Sequence, residues 1–106
     1  MNILYTTTEH IEGKEISEML GVVRGNSIRA KHLGKDIIVL VRMLFGGEIK
    51  EYVEAMNEAR DVAIERMLAE AKEMEADAVV CVRFTTSQVM TGAAELMVYG
   101  TAVKLK

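Results

Sequence analysis

Three side chains in this sequence have the chemistry of a nucleophile or a soft metal ligand: Cys81, His10 and His32. A thiolate beside an imidazole supports covalent catalysis, and the same pair holds zinc or copper. Cys81 is the only cysteine, and it falls inside the apolar run Ala78-Val79-Val80-Cys81-Val82, where a thiol is ordinarily inert. The two histidines stand far apart, and none of the three donors is at ligand spacing. One chain is therefore not expected to close a tetrahedral site. A ring of identical subunits would repeat each donor around its axis. Cys81 and His10 are the metal candidates on this reading, with a transition-metal ion as cofactor; the plainer account makes the histidines exposed loop residues.

A second constellation is polar. Thr6 and Thr7 end a β-like stretch, Tyr52 opens a long helical segment, and Arg60 lies eight residues further on. Arg60 sits at the margin of the apolar stripe, where a buried guanidinium requires partners. It either ties the helix to a neighbouring subunit or, with Thr6, Thr7 and Tyr52, lines a site for an anion or small ligand. No catalytic residue is assigned. Gly21-x-x-x-Gly25 and Gly46-Gly47 lack the P-loop lysine and the dinucleotide-binding spacing, and there is no G-x-S-x-G or H-E-x-x-H.

The segment that must position these residues is 48–75, a run of 28 residues without Gly or Pro. As one helix it would be about 42 Å long. Tyr52, Met56, Ala59, Ala63, Met67, Ala71 and Met74 step by threes and fours along one stripe. Ala55, Val62 and Ala69 form a narrower second row, which suits contact with another subunit. Glu51, Glu54, Glu58, Asp61, Glu65, Lys72 and Glu73 read as a solvated face, not a carboxylate site.

Residues 3–8 are expected to form a first strand. Residues 15–20 suggest at most a short helical turn, and 19–30 an extended segment bent at Gly25-Asn26, where positive φ is cheap. Residues 36–45 are ambiguous. Ile37-Ile38-Val39-Leu40-Val41 has strand composition, yet Asp36 is a good N-cap and Ile37, Leu40, Val41 and Leu44 share a helical stripe. Residues 78–85 and 95–105 read as two closing strands, apolar enough to be covered on both faces. A long polar connection, 85–93, would join them.

Composition sets the outer limits. A chain of 106 residues fits a single domain, 1–106. A net charge of −3 argues against nucleic acid or an anionic membrane as partner. No apolar run approaches the ~20 residues of a membrane span. With eight Met, no Trp and two Phe, the core is adaptable rather than aromatic. One cysteine excludes an intrachain disulfide and fits a reducing cytoplasm.

In order along the chain, Thr6-Thr7, Gly13, Gly21-Val22-Val23-x-Gly25, Asp36-Ile37, Gly46-Gly47, Tyr52, Ala59-Arg60, Ala76-Asp77-Ala78-Val79-Val80 and Gly100-Thr101-Ala102-Val103 resemble the YbjQ-like family, which carries a heavy-metal-binding label. The resemblance implies an α+β subunit of the dodecin type: a small, mainly antiparallel sheet packed on one long helix, with 36–45 as a second, short helix. It also implies a homopentamer or a pair of pentamers. Glu75 and Cys81 stand where the family more often has glycine.

The expected function is a cytoplasmic homo-oligomer that binds a metal ion or small ligand at subunit boundaries. The alternatives are an assembly module that recruits another protein and, last, an enzyme with an intersubunit site.

Overall fold

A computed structural model describes residues 2–30, 50–90 and 93–106. The expectations for 36–45, for the Gly46-Gly47 stop and for His32 lie outside the described residues. Among the described residues the elements are, in order, β1 (Leu4–Tyr5), β2 (Ile16–Ala30), α1 (Lys50–Glu73), β3 (Ala78–Met90) and β4 (Ala93–Leu105). The sheet order is β1-β3-β4-β2, with β1 parallel to β3 and the other pairs antiparallel. The fold is α+β, a mixed sheet with α1 across one face.

The apolar stripe of α1 does what its spacing implies. Ala59, Ala63, Met67 and Ala71 are all buried, at four-residue steps along the side that meets the sheet. The helix packs chiefly on β2 and next on β4. Three of those four residues are alanines, so the helix backbone can come very close to the strand. Gly25 completes the contact. A Cβ there would overlap the Ala63 carbonyl oxygen and the Met67 amide nitrogen, and would stand 2.9 Å from Arg66 Cβ. Gly25 pairs regularly with Val98, and the irregularities of β2 lie instead at Ile16/Glu18 and Met19/Gly21. The expected bend at Gly25-Asn26 is therefore a close approach, and residues 16–20 are strand rather than a helical turn.

The end of α1 is set by hydrogen bonds. The Ala76 amide donates to the Ala71 carbonyl at 3.1 Å and the Glu75 amide to that of Lys72 at 3.0 Å. Glu75 takes φ of 61°. This is a Schellman stop, sealed by Ala71 and Ala76 in the same apolar cluster. The helix thus ends at Glu73, short of the expected 75, and does so without the glycine that makes a left-handed residue cheap.

The core lies in two parts. Between helix and sheet, Val23, Met67, Val79, Val82, Val98 and Ala102 pack with the helix alanines. On the other face Ala78, Val80 and Val103 are covered by Ile11, Ile16 and Leu105. Among the described residues, the two faces are covered together at this end of the sheet. Further along, β3 and β4 do not break into a polar connection at 85–93: Thr85, Thr86 and Ser87 pair with Met97, Leu96 and Glu95, and strand continues to Met90. The first strand is shorter than expected, Leu4–Tyr5 alone, although Thr6 and Thr8 still hydrogen-bond to β3.

Two substitutions test this account. Gly25→Ala forces helix and strand apart and should cost about 3 kcal/mol, the upper range for an overpacked site, read as a lower urea midpoint at unchanged m-value. Glu75→Gly should add about 1 kcal/mol by relieving the left-handed backbone, while Glu75→Ala should add nothing.

Candidate functional site

The side of β3 away from β4 gathers several of the residues singled out in the sequence. Residues 6–8 run alongside β3: the Thr6 amide donates to the Val79 carbonyl at 3.0 Å, the Val82 amide to Thr6 at 3.0 Å, and the Cys81 amide to Thr8 at 3.1 Å. Cys81 sits in a bulge between Val80 and Arg83, with φ of 56°. The bulge is possible because Gly100 lies opposite. A Cβ there would come within 2.6 Å of Val79 Cγ1 and 3.0 Å of the Val80 carbonyl oxygen. Cys81 is half-buried and His10 exposed.

The threonine hydroxyls at this edge serve the turn. Thr6 Oγ1 and Thr8 Oγ1 are 2.9 Å apart, and Thr8 Oγ1 donates to the His10 carbonyl at 2.6 Å. Arg83 Nη1 donates to the carbonyls of Thr7 at 2.8 Å and Val82 at 2.9 Å, holding the segment against β3. Thr6, Thr7, His10 and Cys81 are thus neighbours along one edge. Among the described residues no group of three or more His, Cys, Asp or Glu is placed to hold a metal ion.

Arg60 is elsewhere. It is exposed, and its Nη1 donates to Asn57 Oδ1 at 3.1 Å, one helical turn back. The burial that would have demanded partners does not occur. Ala63, less than a turn further on, backs onto Gly25 of β2, and β2 and β1 are opposite edges of the sheet. Tyr52 belongs to the first turn of α1, and its side chain lies outside the described residues. One chain therefore does not bring Arg60 to Thr6 and Thr7.

A cavity of about 290 Å³ opens at the C-terminal end of α1, with Lys72, Glu75, Asp77 and Lys104 on its walls. Asp77 has a structural task there. Its Oδ2 accepts the Leu105 amide at 2.9 Å while its own amide donates to Val103 at 2.9 Å, which clamps the start of β3 to the end of β4. Two cations and two carboxylates leave the cavity without a net sign.

The sequence reading passed over one arrangement. Arg24 pairs with Tyr99, and Tyr99 pairs with Arg83. Directly paired residues share a face, so a tyrosine stands between two arginines on the side of the sheet away from α1. The available signal was an arginine that directly follows a valine in each of two strands, Val23-Arg24 and Val82-Arg83; the pairing that unites them is not local.

The family model described as "Putative heavy-metal-binding", of the YbjQ type, matches residues 3–106. A UPF0145 protein of Thermosipho africanus is 60% identical over 104 residues, covering 98% of this chain and 96% of the relative. Similar proteins of Archaeoglobus fulgidus and Colwellia psychrerythraea are 58% and 56% identical over the same length. A crystal structure of a protein of unknown function from Pediococcus pentosaceus, of the DUF74 family, superposes with a TM-score of 0.70 at 18% identity, covering 98% of each chain. That likeness concerns the fold. With a family model spanning nearly its whole length and relatives above half identity, this chain belongs to the YbjQ family.

Proposed function

We propose that the protein is a cytoplasmic homo-oligomer, a pentamer or a pair of pentamers, that binds a heavy-metal ion or another small ligand where subunits meet. The observation that carries this reading is the shape of the single chain. Its radius of gyration is 17.2 Å and its extents are 54 × 25 × 22 Å. A compact chain of this length would have a radius of about 13 Å. The excess goes with apolar side chains that the chain leaves uncovered: Met19 is 74% exposed, Val22 66% and Ile28 59%. Apolar surface on this scale suits association, and identical chains most often associate with closed symmetry.

The metal part follows from the family's label and from the β3 edge. The backbones of Cys81 and His10 are tied to the same residue, Thr8, so a thiol and an imidazole belong to one edge segment, short of a complete ligand set. A second chain would provide the remaining donors, as it would provide the missing half of a Thr6, Thr7, Tyr52 and Arg60 site. The alternative, an assembly module without a small ligand, draws on the same exposed surface.

Native mass spectrometry of untagged protein should show five or ten chains; a monomer independent of concentration overturns the oligomer. Zn(II) or Cu(I), at about 100 times its Kd, should stabilise the fold by about 2.7 kcal/mol. Cys81→Ala should abolish that gain. An unchanged melting temperature with either ion, and no metal in the purified sample, removes the metal and leaves the assembly.

A further inference from the structure

The face of the sheet opposite α1 carries two arginines at its centre, with both apolar and polar residues around them. Arg24, Tyr99 and Arg83 form a row across β2, β4 and β3. Strands stand about 4.8 Å apart, so the two arginine backbones are about 10 Å from each other. Val22 and Asn26 flank Arg24 on the same side of β2 by alternation and Ile28 follows Asn26, opposite Thr101, Met97 and Glu95 in turn. Arg83 is fixed by its bonds to Thr7 and Val82. Glu95, two rows from Tyr99, accepts a hydrogen bond from Asn26 Nδ2 at 3.4 Å. Exposed Tyr and Arg beside branched aliphatics are the residues that dominate protein interfaces.

We infer that this face seats the acidic outer side of helix α1 from a second copy of the chain. The inference rests on the ring assembly proposed above, and specifies which surfaces meet. A five-membered ring cannot be built from a patch that meets itself about a twofold axis; it needs two different, complementary surfaces. Face-to-face pairing would also set Arg24 and Arg83 against their own copies. The complement is present on α1. Glu54, Asp61 and Glu65 are exposed, and their spacing of seven and four puts them on the side away from Ala59, Ala63 and Met67. They span about 16 Å along the helix, against about 20 Å from Val22 to Ile28 along β2. A helix about 10 Å wide fits across two strand spacings.

Charge exchange tests the pairing. Arg24→Glu should weaken assembly about tenfold or more in sedimentation velocity, with an unchanged far-ultraviolet circular dichroism spectrum showing that the fold survives. Adding Asp61→Lys and Glu65→Lys to the same chain should restore assembly. Arg24→Glu that assembles like the parent overturns the assignment of the sheet face, and disruption without rescue overturns the helix as its occupant. Both results leave the ring standing. A parent chain that is monomeric at every concentration overturns the ring and this contact together.

Discussion

Helix α1 rests on β2 through backbone rather than through long side chains, and Gly25 is what permits it. The strand offers no Cβ at the crossing, and the helix meets it with the backbone of Ala63 and Met67. Close backbone approach gains dispersion contacts over a short length of chain but fixes the helix laterally, because any displacement loses them together. Met67 is the one large residue in this seam and is fully buried. Its flexible thioether fills what the small residues leave open. Arg66 adds a polar tie by donating to the Asn26 carbonyl at 2.6 Å.

That lateral fixing determines what remains open. With α1 held over β2 and β4, Phe84 on the neighbouring β3 stays 46% exposed although it pairs with the fully buried Val98. Among the described residues, the opposite face is covered where Ile11 and Ile16 fold back over Val80 and Val103. The long β3–β4 hairpin extends the sheet beyond both covers, which is why the chain is elongated. Besides Phe84, the apolar Met19, Val22 and Ile28 of β2 also stay exposed, and this uncovered apolar surface is the physical basis for expecting another chain there.

The sequence made α1 legible because a 3.6-residue period is a local property, repeated over many turns. It made β4 and the first half of β3 legible by composition. It misplaced what depends on residues far apart in the chain. Gly25 looked like a bend because glycine permits one, and only the helix crossing it shows the other use. Residues 85–90 looked like a loop because they are polar, yet they are strand held by register with 93–97. Arg60 stood at the edge of the stripe, and it proves exposed, its guanidinium bonded to Asn57 of its own helix. Glu75 and Cys81, marked by resemblance as places where glycine is more usual, are the two non-glycine residues with positive φ among the described residues. There the backbone conformation outlasts the residue that makes it easy.

The β3 edge and the open sheet face are linked by Arg83. Its side chain shares the row with Tyr99 and Arg24, while its Nη1 binds the Thr7 carbonyl and so holds the segment that carries Thr6, Thr8 and His10 against the Cys81 bulge. A chain docking on the row would draw on the same guanidinium that positions the candidate metal donors. Guanidinium forks accept several partners at once, so both tasks can be met without breaking the bonds to Thr7 and Val82. Assembly and ligand binding would then be coupled through one side chain. A bound neighbour reduces the freedom of Arg83, and with it the freedom of the edge where Cys81 and His10 lie, which lowers the entropic cost of ordering a ligand there.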